Sequence, residues 1–348
     1  MANLAAYIIR RLILLVFVIL GVTVLVFAVS MLFKPEQRAL LYITNAQHTT
    51  TDAIQETIRV HGLRDAFYLQ YGRWLTEILT GNLGWSTSSH QTVADSIRLK
   101  WPYTFEIVLF AAPIIIFVGI YLGVQSAVHR DTWVDHSSRV LSIIGWSLPS
   151  FWVGFLLLSI FYGLLGWFGP LALSEATHAY VVNPANHFAR YTGVDIFDGL
   201  LNGQLWVTAD AIRHCVLPVL TVTIIDVALL IRVMRSSMLE SLSKPYITTA
   251  KAKGLSKKVV IYKHARRNAL IPVATLSGML VAGLLGGLII TETVFAFPGL
   301  GQWAATSAVA LDMPAVLGYA ILSAIVFVIA NLIVDVLYAY IDPRIRLD

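Results

Sequence analysis

Residues 102–128 read PYTFEIVLFAAPIIIFVGIYLGVQSAV, 27 positions with a single charged side chain, Glu106. A helix that crosses a bilayer needs about 20 mostly apolar residues at roughly 1.5 Å each, and this run exceeds that length. Five further runs qualify: 12–33, 140–166, 214–231, 268–291 and 314–341. Among them 214–231 is the shortest and carries Asp226. The whole chain agrees: of its 348 residues 57% are hydrophobic and 13% charged, and the mean hydropathy is +0.73. Soluble domains hold about 45–50% apolar and about 25% charged residues, so a disordered chain is excluded and a soluble enzyme disfavoured. The expected architecture is an all-α polytopic membrane protein with six transmembrane helices and a large external loop, 34–101, after the first. The run 12–33 follows Arg10 and Arg11 as a signal peptide would, yet its 22 residues outlast an apolar signal region of about 7–15.

The position of the charge orients the chain. With the N-terminus inside, the inner segments 1–11, 129–139, 232–267 and 342–348 hold 16 of the 25 Lys and Arg residues. The outer segments 34–101, 167–213 and 292–313 are twice as long and hold the other 9. That is the bias of the positive-inside rule, and it predicts a multi-pass protein of the cell membrane with both termini cytoplasmic. The net charge of +5 is accounted for by inner-face loops and calls for no nucleic acid. A lone cysteine, Cys215, permits no internal disulfide.

Prolines mark the helix boundaries. Pro102, Pro272 and Pro314 fall in first turns, where no helical hydrogen bond is lost. Pro113 and Pro149 fall inside apolar runs and predict kinks. The pairs Gly119/Gly123 and Gly283/Gly287 would let helices approach closely. Outside the runs, residues 66–79 carry apolar and aromatic side chains at helical spacing, and Gly81 follows as a stop; an amphipathic helix on the bilayer or on the bundle is expected. The outer segment 167–213, rich in Asn, Asp and Gly, is long enough to form a cap or docking surface rather than a connector.

Residues 232–267 are the most informative soluble stretch. Ser243 is placed to cap a short helix with Pro245 in its first turn. Gly254 is placed to end it, and Ser256 to cap the next. The result is a helix–turn–helix hairpin hanging from two crossings and bearing ten basic residues. Attraction to anionic lipid head groups explains such a loop; so does docking of the short helix into the groove of a cytosolic partner.

Catalytic signatures are missing. There is no G-x-x-x-x-G-K-[ST] phosphate loop and no H-E-x-x-H, no Cys/His cluster with zinc spacing, and no G-x-S-x-G elbow. His129, His136, His178, His187 and His214 are scattered among loops and boundaries. Three carboxylates fall inside apolar runs: Glu106, Asp226 and Asp335. Intramembrane charge is a functional hypothesis by default, but Glu106 and Asp335 lie near opposite edges. They make a poor midplane relay, and local hydrogen bonding or helix packing is the expected role.

The hairpin residues Thr249-Ala-Lys-Ala-Lys-Gly254-Leu255, with His264-Ala265 and Asn268-Ala-Leu-Ile-Pro272, resemble the cytoplasmic EAA-type motif of ABC importer permeases, in its oligopeptide, dipeptide and nickel branch. Other pieces are similar in the same order. They are Tyr7-Ile-Ile-Arg-Arg11, Gln70-Tyr-Gly-Arg-Trp74, Gly81-Asn-Leu-Gly84, Ser147-Leu-Pro-Ser-Phe-Trp152, Glu292-Thr-Val-Phe-Ala-Phe-Pro-Gly-Leu-Gly301, and Asn331, Asp335 and Asp342-Pro-Arg-Ile-Arg346. The sequence departs from the family at Thr248 and Thr249, where the general motif has Glu and Ala, at Lys34-Pro35-Glu36, where Pro-Gly-Asp is usual, and in the long insertion around 172–209.

The resemblance implies a type I ABC importer permease fold, with its core over 96–341 and the helices at 102–128, 140–166, 214–231, 268–291 and 314–341. It implies a transport subunit rather than an enzyme, with no catalytic residue, cofactor or metal of its own. The implied partners are a second homologous permease, two cytosolic ATPases that carry ATP and Mg²⁺, an external substrate-binding protein and the bilayer. The coupling region maps to Pro245, Tyr246, Ile247, Thr249, Ala250, Lys251, Ala252, Lys253, Gly254, Leu255 and Ser256. Trp146, Pro149, Phe151, Trp152 and Pro113 are candidates for the path or an interface; packed membrane aromatics are their plainer reading. The implied solute is an oligopeptide or dipeptide, with an oligosaccharide or a nickel complex as alternatives in the same machinery. An ion-coupled secondary transporter is the competing class. It requires an internal repeat and a working midplane carboxylate, and no repeat is evident. A membrane scaffold without transport is a third.

Overall fold

The computed structural model describes residues 4–39, 42–43 and 50–341, without the side chains of 4–8, 11 and 334–341. The Arg11 and Asp335 side chains and the run 342–346 therefore lie outside the described residues. In chain order the helices are α1 (Leu4–Ser30), α2 (Pro35–Ala39), α3 (Thr51–Val60) and α4 (Phe67–Leu79), then a two-stranded hairpin of β1 (Trp85–Ser86) and β2 (Gln91–Thr92). They continue as α5 (Val93–Val128), α6 (Trp133–Ser147), α7 (Ser150–Leu157), which runs on as a π-helical stretch over Leu158–Leu164, α8 (Glu175–Val182), α9 (Asp195–Leu201) and α10 (Leu205–Leu242). The last are α11 (Pro245–Ala252), α12 (Lys257–Val259), α13 (Arg266–Leu285), joined to α12 by a π-helical turn, α14 (Ile289–Val294), α15 (Leu300–Val309) and α16 (Met313–Ile341).

Among the described residues, five helices are long and apolar enough to cross a membrane, and α6 with α7 make a sixth, bent by 101°. The bend falls at Pro149, whose missing N–H and fixed φ make it the N-cap of α7 rather than a helical residue. Pro113, by contrast, sits within an unbroken α5, and Pro102 and Pro272 lie inside α5 and α13 rather than in first turns, because both helices begin upstream of the apolar runs. The crossing read from sequence as 214–231 is the weakest there, yet α10 is the longest of the described helices at 38 residues, about 57 Å at 1.5 Å per residue. Polar residues such as Asp210, Arg213 and Arg235 extend the helix past the apolar stretch at both ends, so Arg232 and Arg235 belong to a helix, not a loop. The fifth crossing stops at Leu285, short of the expected Thr291. Gly287, at φ +125°, turns the chain into the short α14.

α5 and α10 form the spine. Gly119 lies against Leu230 and Gly123 against Met234, both so close that an added Cβ would stand 2.5 Å from the facing Cβ. The contact advances four residues on both helices in the same sense, so the two run parallel, and α6–α7 must recross between them. α6 is antiparallel to α10: Asp135 meets Arg235, and Gly145 meets the Ile224 carbonyl and Ala228. The second small pair behaves differently. Nothing stands within 4 Å of a Cβ added at Gly283, so it makes no comparable contact. The amphipathic helix is present as α4, and it rests on the bundle. Its buried Trp74 packs with Phe27 of α1 and Ile321 of α16.

The end of the bundle opposite the 243–256 hairpin is covered by folded segments. Asp312 pins the β-hairpin by accepting from Ser86 Oγ at 2.7 Å, Ser88 N at 2.8 Å and Ser88 Oγ at 2.7 Å. The insertion is also ordered. Asp198 accepts from Thr192 N and Thr192 Oγ1, each at 2.8 Å, and from Gly193 N at 3.0 Å, closing the turn that starts α9. Leu173, Val181 and Ile196 reach from it into the main core.

Candidate functional site

The hairpin begins where α10 ends. Ser243 does not cap the following helix as its sequence position suggests; its hydroxyl donates back to the Glu240 carbonyl at 2.8 Å, and Lys244 is the N-cap residue. Pro245 opens α11, where its missing N–H costs nothing. α11 ends in a paired C-terminal lock: Leu255 N donates to the Ala250 carbonyl at 3.3 Å and Gly254 N to the Lys251 carbonyl at 2.9 Å. The lock requires a left-handed residue, which Gly254 supplies at φ +73°. An added Cβ there meets nothing within 4 Å, so the requirement is conformational and not steric.

Two side chains hold α11 to the bundle. Ile247 and Ala250, three apart and so on one face, are buried in the core with Met238, Val260, Ile261 and Ala265. The remainder points away: Tyr246, Thr249, Lys251, Ala252, Lys253, Gly254, Leu255 and Ser256 are exposed. The result is a knob: a helix of just over two turns seated on an apolar pair, with aromatic, aliphatic and small residues outward. Among the described residues, no group of three His, Cys, Asp or Glu side chains is placed to hold a metal ion.

Above the knob sits an ion pair that sequence reasoning missed. Arg235 of α10 binds Asp135 of α6 through both forks, Nε to Oδ1 at 2.7 Å and Nη2 to Oδ2 at 2.8 Å. Ser126 of α5 donates to Oδ1 at 2.6 Å and the Asp131 N–H to Oδ2 at 3.1 Å. Asp135 is fully buried. Three helices are thus tied at one point, one carboxylate accepting from all of them or their linkers. The partners lie 100 positions apart, and a single sequence holds no signal for such pairing.

The candidate path residues do not converge. Trp146, Phe151 and Trp152 flank Pro149 in sequence and are about half exposed, and Arg232 lies over the Trp146 ring at 5.7 Å. Pro113 lines a separate apolar groove of about 590 Å³ with Ile116, Phe117, Ile120, Tyr262 and Arg266, and none of the other four reaches it.

The motif 292–301 forms a knot at the opposite end. The fully buried Glu292 accepts from Thr104 Oγ1 at 2.7 Å, Leu288 N at 3.2 Å and Gln302 N at 2.9 Å, while Leu300 N donates to Thr104 Oγ1 at 2.9 Å. A Cβ on Gly299 would stand 2.5 Å from the Glu292 carboxylate, and one on Gly301 2.5 Å from Ile289 N. Phe295 and Phe297 are buried in two different clusters. Glu106 has the local role expected of it: it accepts from the Ile196 N–H at 3.1 Å, joining α5 to the insertion.

Beside it, Asp195 is buried with no hydrogen bond to either carboxylate oxygen, although Arg190 Nη2 lies 3.2 Å from Oδ1. Burial outweighs the attraction of Arg190, Asp198 adds repulsion, and the carboxyl is pushed up to about 6. Between its ordinary value of 3.8 and about 6 the folded insertion holds a proton that the opened insertion releases. Its local stability therefore falls as pH rises through that window. Hydrogen exchange at residues 189–201, corrected for intrinsic rates, should quicken from pH 4 to 7, and Asp195→Asn should weaken the dependence.

Residues 115–347 match the family described as binding-protein-dependent transport system inner membrane component. The probable D,D-dipeptide transport system permease protein DdpB of Escherichia coli is 39% identical over 333 residues, covering 95% of this chain and 94% of that protein. The dipeptide transport system permease protein DppB of Alkalihalophilus pseudofirmus is 36% identical, covering 98% and 99%. The oligopeptide transport system permease protein AppB of Bacillus subtilis is 33% identical, again covering 98% and 99%. With its crossings and hairpin laid out as above, this chain belongs to the family of inner membrane components of binding-protein-dependent transport systems, a permease subunit of the type I ABC importer fold and not an enzyme.

Proposed function

We propose that this chain imports peptides, with di- and oligopeptides as the solute class, as one of two homologous permeases between an external binding protein and two cytosolic ATPases. The termini and the hairpin face the cytoplasm; ATP and Mg²⁺ reside on the ATPases. The observation that carries the reading is the outward face of α11, seated on Ile247 and Ala250 between the fourth and fifth crossings. The relatives' names supply the solute.

The geometry supports a mechanical route. An ATPase groove that grips Tyr246, Thr249, Lys251, Ala252, Lys253, Gly254, Leu255 and Ser256 moves Pro245, Ile247 and Ala250 with it. The Asp135–Arg235 tie passes that motion to α5, α6 and α10 together, and the close Gly119 and Gly123 contacts keep α5 and α10 moving as one body. Rigid parts rocking between two states are what alternating access requires. The Pro113 groove, and the aromatics Trp146, Phe151 and Trp152 at the Pro149 bend, are the surfaces left for the path and the second permease.

The test is uptake by the whole complex in proteoliposomes with its binding protein. ATP-dependent uptake of a dipeptide, unaffected by dissipating the proton gradient, is the expected result. Uptake only of an oligosaccharide or a nickel complex overturns the solute, and uptake driven by an ion gradient without ATP overturns the class. Surface changes at the hairpin separate coupling from folding: Tyr246→Asp with Leu255→Asp should lower uptake at least tenfold while the purified chain keeps its thermal stability. A bulky replacement at the buried Ala250 disturbs the hairpin's own seat and tests folding instead.

A further inference from the structure

A cleft of about 620 Å³ opens on the end of the bundle away from the hairpin, walled by the β-hairpin, the start of α5, the insertion and α15. That volume is in the range of small-molecule sites. Its lining mixes polar and apolar groups, and its formal charge is one-signed. Lys100 and Arg190 contribute cations, Ser89 and Gln302 neutral hydrogen-bonding groups, and Tyr103 and Trp303 aromatic rings; no Asp or Glu lines it. The walls are fixed. Trp303 donates through Nε1 to Ser89 Oγ at 2.7 Å, and Tyr103 Oη accepts from Arg190 Nη1 at 3.0 Å.

Lys100 is the anomaly. It is half-buried in this wall and has neither a hydrogen bond nor an ion pair among the described residues. Glu292 acts on it through space, but the Glu292 oxygens already accept from Thr104, Leu288 and Gln302. A half-buried ammonium with no protein acceptor keeps its three donors for water or for an anion that enters the cleft. Arg190 spends one donor on Tyr103 and lies within ion-pair distance of Asp195, and a guanidinium has five donors.

We infer that this cleft is an entry site on the outer face that takes the C-terminal carboxylate of an incoming peptide, with Lys100 as its anion partner and Arg190 beside it. The inference rests on the peptide reading above. It adds a contact made by the permease itself after the binding protein releases the solute. Charge-assisted hydrogen bonds to a carboxylate are roughly twice as strong as neutral ones, so removing the ammonium has a measurable effect, and arginine is the conservative replacement.

The experiment uses the complete complex in proteoliposomes, with binding protein loaded with labelled L-alanyl-L-alanine. Uptake, ATP hydrolysis stimulated by the binding protein, and thermal stability are read in parallel for wild type, Lys100→Met and Lys100→Arg. The expected result is a fall of at least fivefold in peptide moved per ATP in Lys100→Met, recovery to within twofold in Lys100→Arg, and stimulation and stability unchanged in both. Unchanged peptide per ATP in Lys100→Met overturns the entry site and leaves the peptide reading standing. A parallel loss of stimulation or stability that arginine does not repair also overturns it, making the cleft a docking surface or Lys100 a mere counter-charge to Glu292. A wild-type complex that imports another solute and no L-alanyl-L-alanine overturns the peptide reading, and the entry site with it.

Discussion

Asp135→Ala is expected to destabilise the folded chain by about 3–5 kcal/mol, the range for removing one member of a buried ion pair. The carboxylate is wholly buried and accepts four hydrogen bonds, two from Arg235 and one each from Ser126 and the Asp131 N–H. Its loss leaves the Arg235 guanidinium, only one-fifth exposed, without an acceptor, and three helices without their common tie. Pairing it with Arg235→Leu should recover part of the stability, because no unpaired charge then remains. The double variant should still fail to couple ATP hydrolysis to uptake, since the link between α6 and α10 is gone. Thermal unfolding of the purified chain in detergent, with uptake per ATP in proteoliposomes, measures both. Equal stability of Asp135→Ala and wild type would remove the pair from the account.

Glu292→Ala should cost at least about 3 kcal/mol, from the ~1–3 kcal/mol for each buried donor left unsatisfied. It strips acceptors from the Thr104 hydroxyl and the Leu288 and Gln302 N–H groups at once. The damage should be local to residues 288–302, seen as faster hydrogen exchange there with the α5–α10 spine protected. Glu292→Gln should lie between the two, since the amide keeps one acceptor oxygen and turns an NH₂ toward donors. Gly299→Ala should imitate the loss, because its Cβ would stand 2.5 Å from the same carboxylate.

Much of this was legible in the sequence, for physical reasons. Crossings announce themselves because lipid demands about 20 apolar residues in a row. The hairpin was readable from Pro245 and Gly254, whose backbone restrictions are local. The helix at 67–79 was readable from its periodicity. What escaped depends on pairing across the chain. Asp135 and Arg235 each read as ordinary charges of inner loops, and only the antiparallel packing of α6 on α10 joins them. The reach of α10 to Leu205 and Leu242 was hidden because polar residues at both ends look like loop when hydropathy is the guide. Ser243 had the composition of a cap, but its hydroxyl is satisfied by the turn behind it. Of the two glycine pairs, only Gly119/Gly123 meets one facing helix at both positions, which spacing alone does not distinguish. The motif at 292–301 was recognised by resemblance, while the reason for its Glu and Gly residues appears only when Thr104 is brought beside them.

In the proposed mechanism a cytosolic ATPase drives this permease through the exposed face of α11. The most direct measurement places a photo-crosslinking amino acid at Tyr246, and in a second variant at Leu255, in cells that express the whole system. Irradiation precedes membrane extraction, and the products are identified by mass spectrometry. The account predicts a crosslink from both positions to a P-loop ATPase, absent when the label sits at Tyr68 on the far end of the bundle. Crosslinks from Tyr246 and Leu255 to lipid alone, with the ATPase expressed and membrane-associated, would contradict it.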